Sequence, residues 1–539
     1  MAFSGSIPTD EELAVAIDEM MTRYFKPDEP GASIIVTRKG KPVFRKGYGM
    51  ANVELGVKIE PHMVFRLGSI TKQFTAVSIL MLWEQGKLDF QDEITKYLPE
   101  YPMHGHRITI EHLLTHTSGI KSYTDTPDFL KMMRTDLSLE DLVNSFKPYP
   151  MDFAPGTKYH YNNSAFVMLG LVIERVSGMK YAEFIKKNIF EPLGMKDSYF
   201  DMPNPIIPGR VAGYKKNGDH YENCDYLSMT LPHAAGSLAS SVDDMAKWDA
   251  ALYTEKLVKQ SSLKKAWTSY TLLDGTKTGY GYGWASAEFD GHRMITHGGG
   301  INGFITDGFR FPDDEVYVSI LTNRGIMIPN DLAFRIGALA TGKPYVDPQP
   351  VPMDPALYER YQGVFKLENM EYTIAVFTEG GKLYMTPPGD EKNEIFPLSE
   401  TEFASAESIG RTLFVFDENG KVTTLIMKGF YGPGMKAFIT DQPLPNQRKS
   451  IELAPDKIAS YLGEYELAPG VNACFILEDG KLIVKVPGQK DQVLLAETET
   501  KFYMPELPVS FEFHKDASGQ VTGMTLNQSG QTMDAKKVK

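Results

Sequence analysis

Ser69 and Lys72 stand three residues apart in Gly68-Ser69-Ile70-Thr71-Lys72, where a segment begins whose apolar residues Ile70, Phe74, Val77 and Met81 recur with helical spacing. One helical turn brings the two side chains to the same face. A serine hydroxyl is a weak nucleophile until a neighbouring base takes its proton, and a lysine stripped of water can be that base. The start of the helix adds free N–H groups and the positive end of a dipole, both suited to a developing oxyanion. An N-cap serine followed by a solvated first-turn lysine leaves the same pattern, so the pair alone decides nothing.

Two further segments bear on that choice. The turn-rich stretch from Pro155 to Ser164 delivers Tyr161-x-Asn163 to the start of an apolar helix over 164–176. Downstream, Thr296-His297-Gly298-Gly299-Gly300-Ile301-Asn302-Gly303 sets a histidine before flexible glycines. Glycines admit a substrate backbone, and a free N–H there completes an oxyanion hole. A structural loop and an ordinary Gly-rich turn are the competing readings.

Taken in this order, the three segments resemble the serine β-lactamase and penicillin-binding protein superfamily, whose Ser-x-x-Lys element is a recognised signature. More narrowly the chain is similar to the class C-like branch, with family VIII esterases, D-alanyl-D-alanine carboxypeptidases and D-aminopeptidases. Phe65-Arg66-Leu67-Gly68-Ser69, Leu113-Leu114-Thr115-His116-Thr117-Ser118-Gly119 and Pro192-Leu193-Gly194-Met195 carry the likeness, as do Ala235-Gly236-Ser237-Leu238 with Asp244 and Leu321-Thr322-Asn323. It extends over about residues 10 to 340.

The resemblance implies that Ser69 is acylated, that Lys72 is its base, and that Tyr161 carries the proton to the leaving group. It implies that Asn163 binds substrate and holds Lys72, and that the N–H groups of Ser69 and Gly300 form the oxyanion hole. His297 and Gly299 stand in the third motif, where β-lactamases usually carry Lys-Thr-Gly. Losing that fixed ammonium weakens recognition of a substrate carboxylate, since a histidine is mostly neutral near pH 7. The expectation is therefore an esterase, or a D-amino-acid amidase or peptidase, working through a Ser69 acyl-enzyme. The alternatives are a D-Ala-D-Ala carboxypeptidase, a weak β-lactamase, a penicillin-recognising protein that acylates without turnover, or a ligand carrier built from the repeats described next.

Beyond the proline-rich stretch Pro344 to Pro355, the chain repeats itself. Tyr361-Gln362-Gly363 answers Tyr461-Leu462-Gly463, Gly381-Lys382-Leu383 answers Gly480-Lys481-Leu482, and Thr401-Glu402-Phe403 answers Thr500-Lys501-Phe502. Short β-prone runs separated by Glu418-Asn419-Gly420 and Glu478-Asp479-Gly480 predict hairpins, hence one duplicated small sheet or barrel. A second proline group, Pro443, Pro445 and Pro455, separates the copies. The expected domains are 1–345, 356–441 and 457–539.

Strands from both ends of the first domain must position the motifs. Ser33–Thr37 and Pro42–Arg45 flank the turn at Lys39-Gly40, and Val316–Thr322 reads as a buried strand. Helices over 70–83, 139–146 and 164–176 lie between them. The expected fold class is α+β, an antiparallel sheet with a helical covering and, as the resemblance implies, a subdomain of β-lactamase/transpeptidase type. The resemblance to D-aminopeptidases of the superfamily implies that the two repeats are small antiparallel, lipocalin-like barrels.

Composition sets the outer limits. The 539 residues carry a net charge of −13 and no long basic block, which excludes binding driven by nucleic-acid phosphates. The longest apolar run, Ala165–Ile173, is too short for a transmembrane segment. Cys224 and Cys474 are the only cysteines and form no disulfide framework. His104-Gly105-His106 has metal-like spacing but no carboxylates beside it, so neither metal nor cofactor is expected. His116 and His160 read as structural hydrogen-bonding residues, and Gly279–Trp284 as a strand beside the site. The partner is a small-molecule or peptide substrate, and a homo-oligomer is compatible with the sequence. Met1–Thr9 lacks a signal-peptide pattern, so the chain reads as cytoplasmic as it stands, and as periplasmic or secreted if a leader has been removed.

Overall fold

A computed structural model describes residues 7–218, 220–326, 331–368, 372–386, 392–405, 408–429, 434–444, 450–468, 471–478, 480–487, 491–505, 509–528 and 531–538. Pro445, Asp479 and the first six residues of the N-terminal segment lie outside them. The chain forms two compact units, the first built essentially from residues up to Val346 and the second from Asp347 onward.

A six-stranded antiparallel sheet organises the first unit. Its strands are β1 (Ala32–Arg38), β2 (Lys41–Tyr48), β3 (Ala285–Phe289), β4 (His292–Ile301), β5 (Phe304–Phe311) and β6 (Val316–Thr322). Their spatial order is β3-β4-β5-β6-β1-β2, so the two ends of the unit meet at the β1–β6 pair, with Ile34 opposite Ile320. Every residue of β6 is buried, the polar Ser319 and Thr322 among its apolar residues included. Pro42 sits in the outermost strand β2, where a missing N–H is least costly.

Neighbouring residues of β5 show how the sheet is covered. Side chains alternate between faces along a strand. Arg310 meets Asp249 of helix α5 (Val242–Ala251), a buried pair at 2.5 Å, whereas Phe311 packs where Gly337 of α6 (Leu332–Ala340) leaves room. Helix α1 (Asp10–Tyr24) starts with a capping box, in which Thr9 and Glu12 satisfy each other's backbone N–H groups. It buries Leu13, Ile17 and Met21, one residue per turn.

The helical subdomain centres on α2 (Thr71–Glu84) and α4 (Asn163–Ser177), with α3 (Leu139–Phe146) packed on α4. The apolar spacing of α2 suggests one buried face, but every residue from Thr71 to Leu82 is buried. Its polar side chains find partners inside: Thr75 Oγ1 donates to Ala234 O at 2.6 Å and Ser78 Oγ to Phe74 O at 2.8 Å. Residues Ser164 to Ile173 of α4 are likewise buried. Among the described residues no helix is long and apolar enough to cross a membrane.

The second unit contains two closed barrels of eight antiparallel strands, one spanning Gly363–Ile439 and the other Gly463–Lys537. The repeated tyrosines do the same work in both. Tyr361 donates to Glu400 O at 2.8 Å and packs against Phe403 and Phe414. Tyr461 donates to Glu499 O at 2.6 Å and packs against Phe502 and Phe513.

Two expectations need correction. Gly279–Trp284 is an irregular segment rather than a strand; Tyr280 forms one isolated bridge to Ala285, and β3 begins only there. The positive φ of Gly279 and Gly283 breaks the extended path. The glycines 298–300 lie inside β4 rather than in a turn, because each stands in register with a residue of β5: Gly298 opposite Asp307, Gly299 opposite Thr306 and Gly300 opposite Ile305.

Candidate functional site

The Ser69 end of α2 begins as a tight turn, Gly68–Ile70, that leads directly into the helix. Gly68 has φ +53°, and a Cβ there would lie 3.0 Å from the backbone N of Gly300. Glycine is required both for the dihedral and for this approach. The turn bearing Ser69 is thereby laid against β4. Gly299 repeats the constraint from the other side, since its Cβ would fall 2.0 Å from Leu67 O. Thr306 of β5 locks the contact by donating to Leu67 O at 2.8 Å.

Lys72 is fully buried, and its Nζ makes three contacts: Ser69 Oγ at 3.1 Å, Asn163 Oδ1 at 2.9 Å and Ala235 O at 2.9 Å. No carboxylate pairs with it among the described residues. Burial therefore holds the amine well below the ordinary lysine range. Asn163 Oδ1 and Ala235 O can only accept, so they take two N–H groups of a neutral amine. Its lone pair is then left facing the Ser69 hydroxyl, the arrangement a general base needs.

Asn163 is the first residue of α4, and Asn162 caps that helix with Oδ1 accepting from the Ala165 N–H at 2.9 Å. Asn163 Nδ2 donates to Thr124 Oγ1 at 3.3 Å, which turns its oxygen toward Lys72. The Tyr161 ring centroid lies 4.7 Å from Lys72 Nζ. Burial pushes the phenol well above the ordinary tyrosine value, with the nearby Ser69 hydroxyl opposing it. Tyr161 is consequently a neutral phenol that can pass a proton, not a standing phenolate.

His116 sets the loop around Tyr161. Its carbonyl accepts from the His160 N–H at 2.9 Å and its Nδ1 from the Asn162 N–H at 3.0 Å, one bond on each side of Tyr161. The residue adopts φ +58°, a left-handed conformation that costs about 1–3 kcal/mol outside glycine. Burial holds its imidazole well below the ordinary histidine value, so it is neutral.

His297 is neutral as well. Tyr280 OH lies 2.9 Å from Nε2, and Nδ1 lies 2.5 Å from Gly298 O, an atom that can only accept. Nδ1 thus carries the hydrogen and Nε2 accepts from the tyrosine. Burial depresses its pKa to about 3, and the neighbouring Lys72 amine disfavours a second proton in the same pocket. The third motif therefore supplies no cation.

The fold brings together Ser69, Lys72, Tyr161 and Asn163, and packs His297, Gly299 and Gly300 beside them on β4. Sequence reasoning missed two contributors. Ala235 acts through its carbonyl, which leaves no side-chain signal, and Tyr280 was absorbed into an apparent strand. His104-x-His106 lies in a turn, and the described residues contain no cluster able to hold a metal.

Residues 14–338 match the family model described as Beta-lactamase, and residues 447–538 match a domain of unknown function (DUF3471). Penicillin-binding protein 4* of Bacillus subtilis is 28% identical over 398 residues, spanning 69% of this chain and 87% of the relative. Putative penicillin-binding protein PbpX of the same organism is 30% identical over 307 residues, 55% of this chain and 74% of the relative. Among solved structures, the octameric penicillin-binding protein homologue from Pyrococcus abyssi aligns with 26% identity and a TM-score of 0.56, covering 79% of this chain and 99% of that one.

Proposed function

The chain belongs to the β-lactamase family, and from that membership and the site geometry we propose that it is a serine hydrolase cleaving an ester or amide through an acyl-enzyme on Ser69. The observation that carries this reading is the 3.1 Å approach of a buried, carboxylate-free Lys72 amine to Ser69 Oγ. In the first step Lys72 takes the Ser69 proton as Oγ bonds to the substrate carbonyl carbon. The N–H groups of Ser69 and Gly300 receive the oxyanion. Collapse breaks the bond to the alcohol or amine, which leaves with a proton passed through Tyr161. Water then attacks the ester with the same groups running in reverse, releasing the acid and freeing Ser69.

The neutral His297 argues against dependence on a substrate carboxylate, and so favours esters and aminoacyl amides over penicillins. A second reading, acylation by penicillin without turnover, is favoured by the names of the Bacillus subtilis relatives. Hydrolysis of p-nitrophenyl butyrate, D-alanine p-nitroanilide and nitrocefin, run beside mass spectrometry of the Ser69 peptide, separates the two. Turnover of either of the first two supports the hydrolase; a stoichiometric penicillin adduct with no turnover of any substrate replaces it with the second reading.

A further inference from the structure

The ladder between β3 and β4 ends at Ala285 opposite Thr296, whereas the ladder between β4 and β5 continues to Ile301 opposite Phe304. From His297 to Ile301, no strand among the described residues pairs with β4 on its outer side, and Gly300 on that edge abuts the turn carrying Ser69. A substrate whose scissile carbonyl meets the Gly300 N–H lies along this edge. Substituents on the carbon next to that carbonyl then project toward one face of β4 or the other. One face is closed at Gly299 by Leu67. On the other, Asp307 leans across Gly298, its Oδ1 only 2.9 Å from where a Cβ would be.

We propose that Asp307 selects the substrate, its carboxylate receiving a positively charged group beside the scissile carbonyl, namely the free ammonium of an aminoacyl ester or amide. This rests on the hydrolase reading above and adds the charge of the substrate to it. Among the described residues the Asp307 carboxyl makes no hydrogen bond or ion pair. Burial raises its carboxyl to about 7, with no cation close enough to hold it down. His297 is neutral and Lys72 is committed to Ser69, Asn163 and Ala235. An ammonium within about 4–6 Å restores the charged form of the carboxyl and gains a charge-assisted hydrogen bond, while a substrate carboxylate meets repulsion. Glycine at 298 is what lets the carboxyl reach this position.

Calorimetric titration of Ser69→Ala protein with D-alaninamide and with N-acetyl-D-alaninamide tests this without turnover. The free amine is expected to bind at least about tenfold tighter, consistent with one charge-assisted contact. Asp307→Asn in that background should erase the preference. Gly298→Ala, which pushes the carboxyl aside, should reduce it in the same direction even if Asp307→Asn proves unstable. Equal affinities, no detectable binding of the amine, or a preference that survives both substitutions overturns the proposal. Turnover of p-nitrophenyl butyrate and of D-alanine p-nitroanilide by the unsubstituted protein is read separately: the absence of both counts against the hydrolase and leaves the binding comparison standing.

Discussion

The imidazole of His116 lies against the ring of Tyr161 with centroids 4.3 Å apart, while its Nδ1 and carbonyl hold the residues on either side of that tyrosine. Tyr161 is thus fixed by a neighbour that is itself fully buried. His116→Phe keeps the ring but strips the acceptor from the Asn162 N–H, leaving a buried donor unpaired at about 1–3 kcal/mol. We expect kcat to fall while KM changes little, with a melting temperature a few degrees lower. A change confined to stability would make His116 a framework residue only.

Ser69→Ala should abolish both turnover and covalent labelling by a fluorophosphonate, with the melting temperature close to that of the parent. Residual hydrolysis within about tenfold of the parent would remove Ser69 from the mechanism. Lys72→Ala should lose about 100- to 10,000-fold in kcat, the usual range for general-base help.

Lys72 also makes a signed prediction with pH. Its amine loses its proton more easily in the fold than the ordinary value of 10.5, so kcat/KM should rise with pH and level off once the amine is neutral. The unfolded chain binds the proton that the fold refuses, so this group contributes stability that increases with pH up to about 10.4. Lys72→Met abolishes the contribution. The melting temperature of the variant relative to the parent should therefore be highest at low pH and decline as pH rises. A difference independent of pH would mean that burial does not depress the amine.

Gly299 and Gly300 make a matched pair. A methyl at Gly299 collides with Leu67 O at 2.0 Å, whereas at Gly300 the nearest atom is Ile305 Cδ1 at 3.5 Å. Gly299→Ala must shift β4 away from the Ser69 turn and should cost at least about 100-fold in activity, the range for a lost oxyanion donor. Gly300→Ala should fold with a parental melting temperature. Equal behaviour of the two variants would contradict the close packing of β4 on this turn.

The motif residues were legible because their chemistry restricts residue type: hydroxyl, amine, phenol and amide all appear at readable spacing. The strands β1, β2 and β6 were legible from uninterrupted or turn-bounded apolar runs. What stayed hidden depends on register and backbone. The burial of α2 on every side is set by elements distant in sequence, and the Ala235 carbonyl is an atom every residue possesses. Gly298–Gly300 suggested a flexible turn because strand glycines are unusual; here close approach to Leu67 and Asp307 demands them. Asp307 became visible only once the β4–β5 register placed it opposite Gly298.

The paired tyrosines of the two barrels have a consequence for how this chain responds to damage. Tyr361 and Tyr461 each fasten one barrel to its own backbone, through bonds to Glu400 and Glu499 that do not cross between copies. Each barrel closes on its own eight strands. Loss of one fastening, as in Tyr461→Phe, is expected to loosen its own barrel and leave the Tyr361 bond of the other in place.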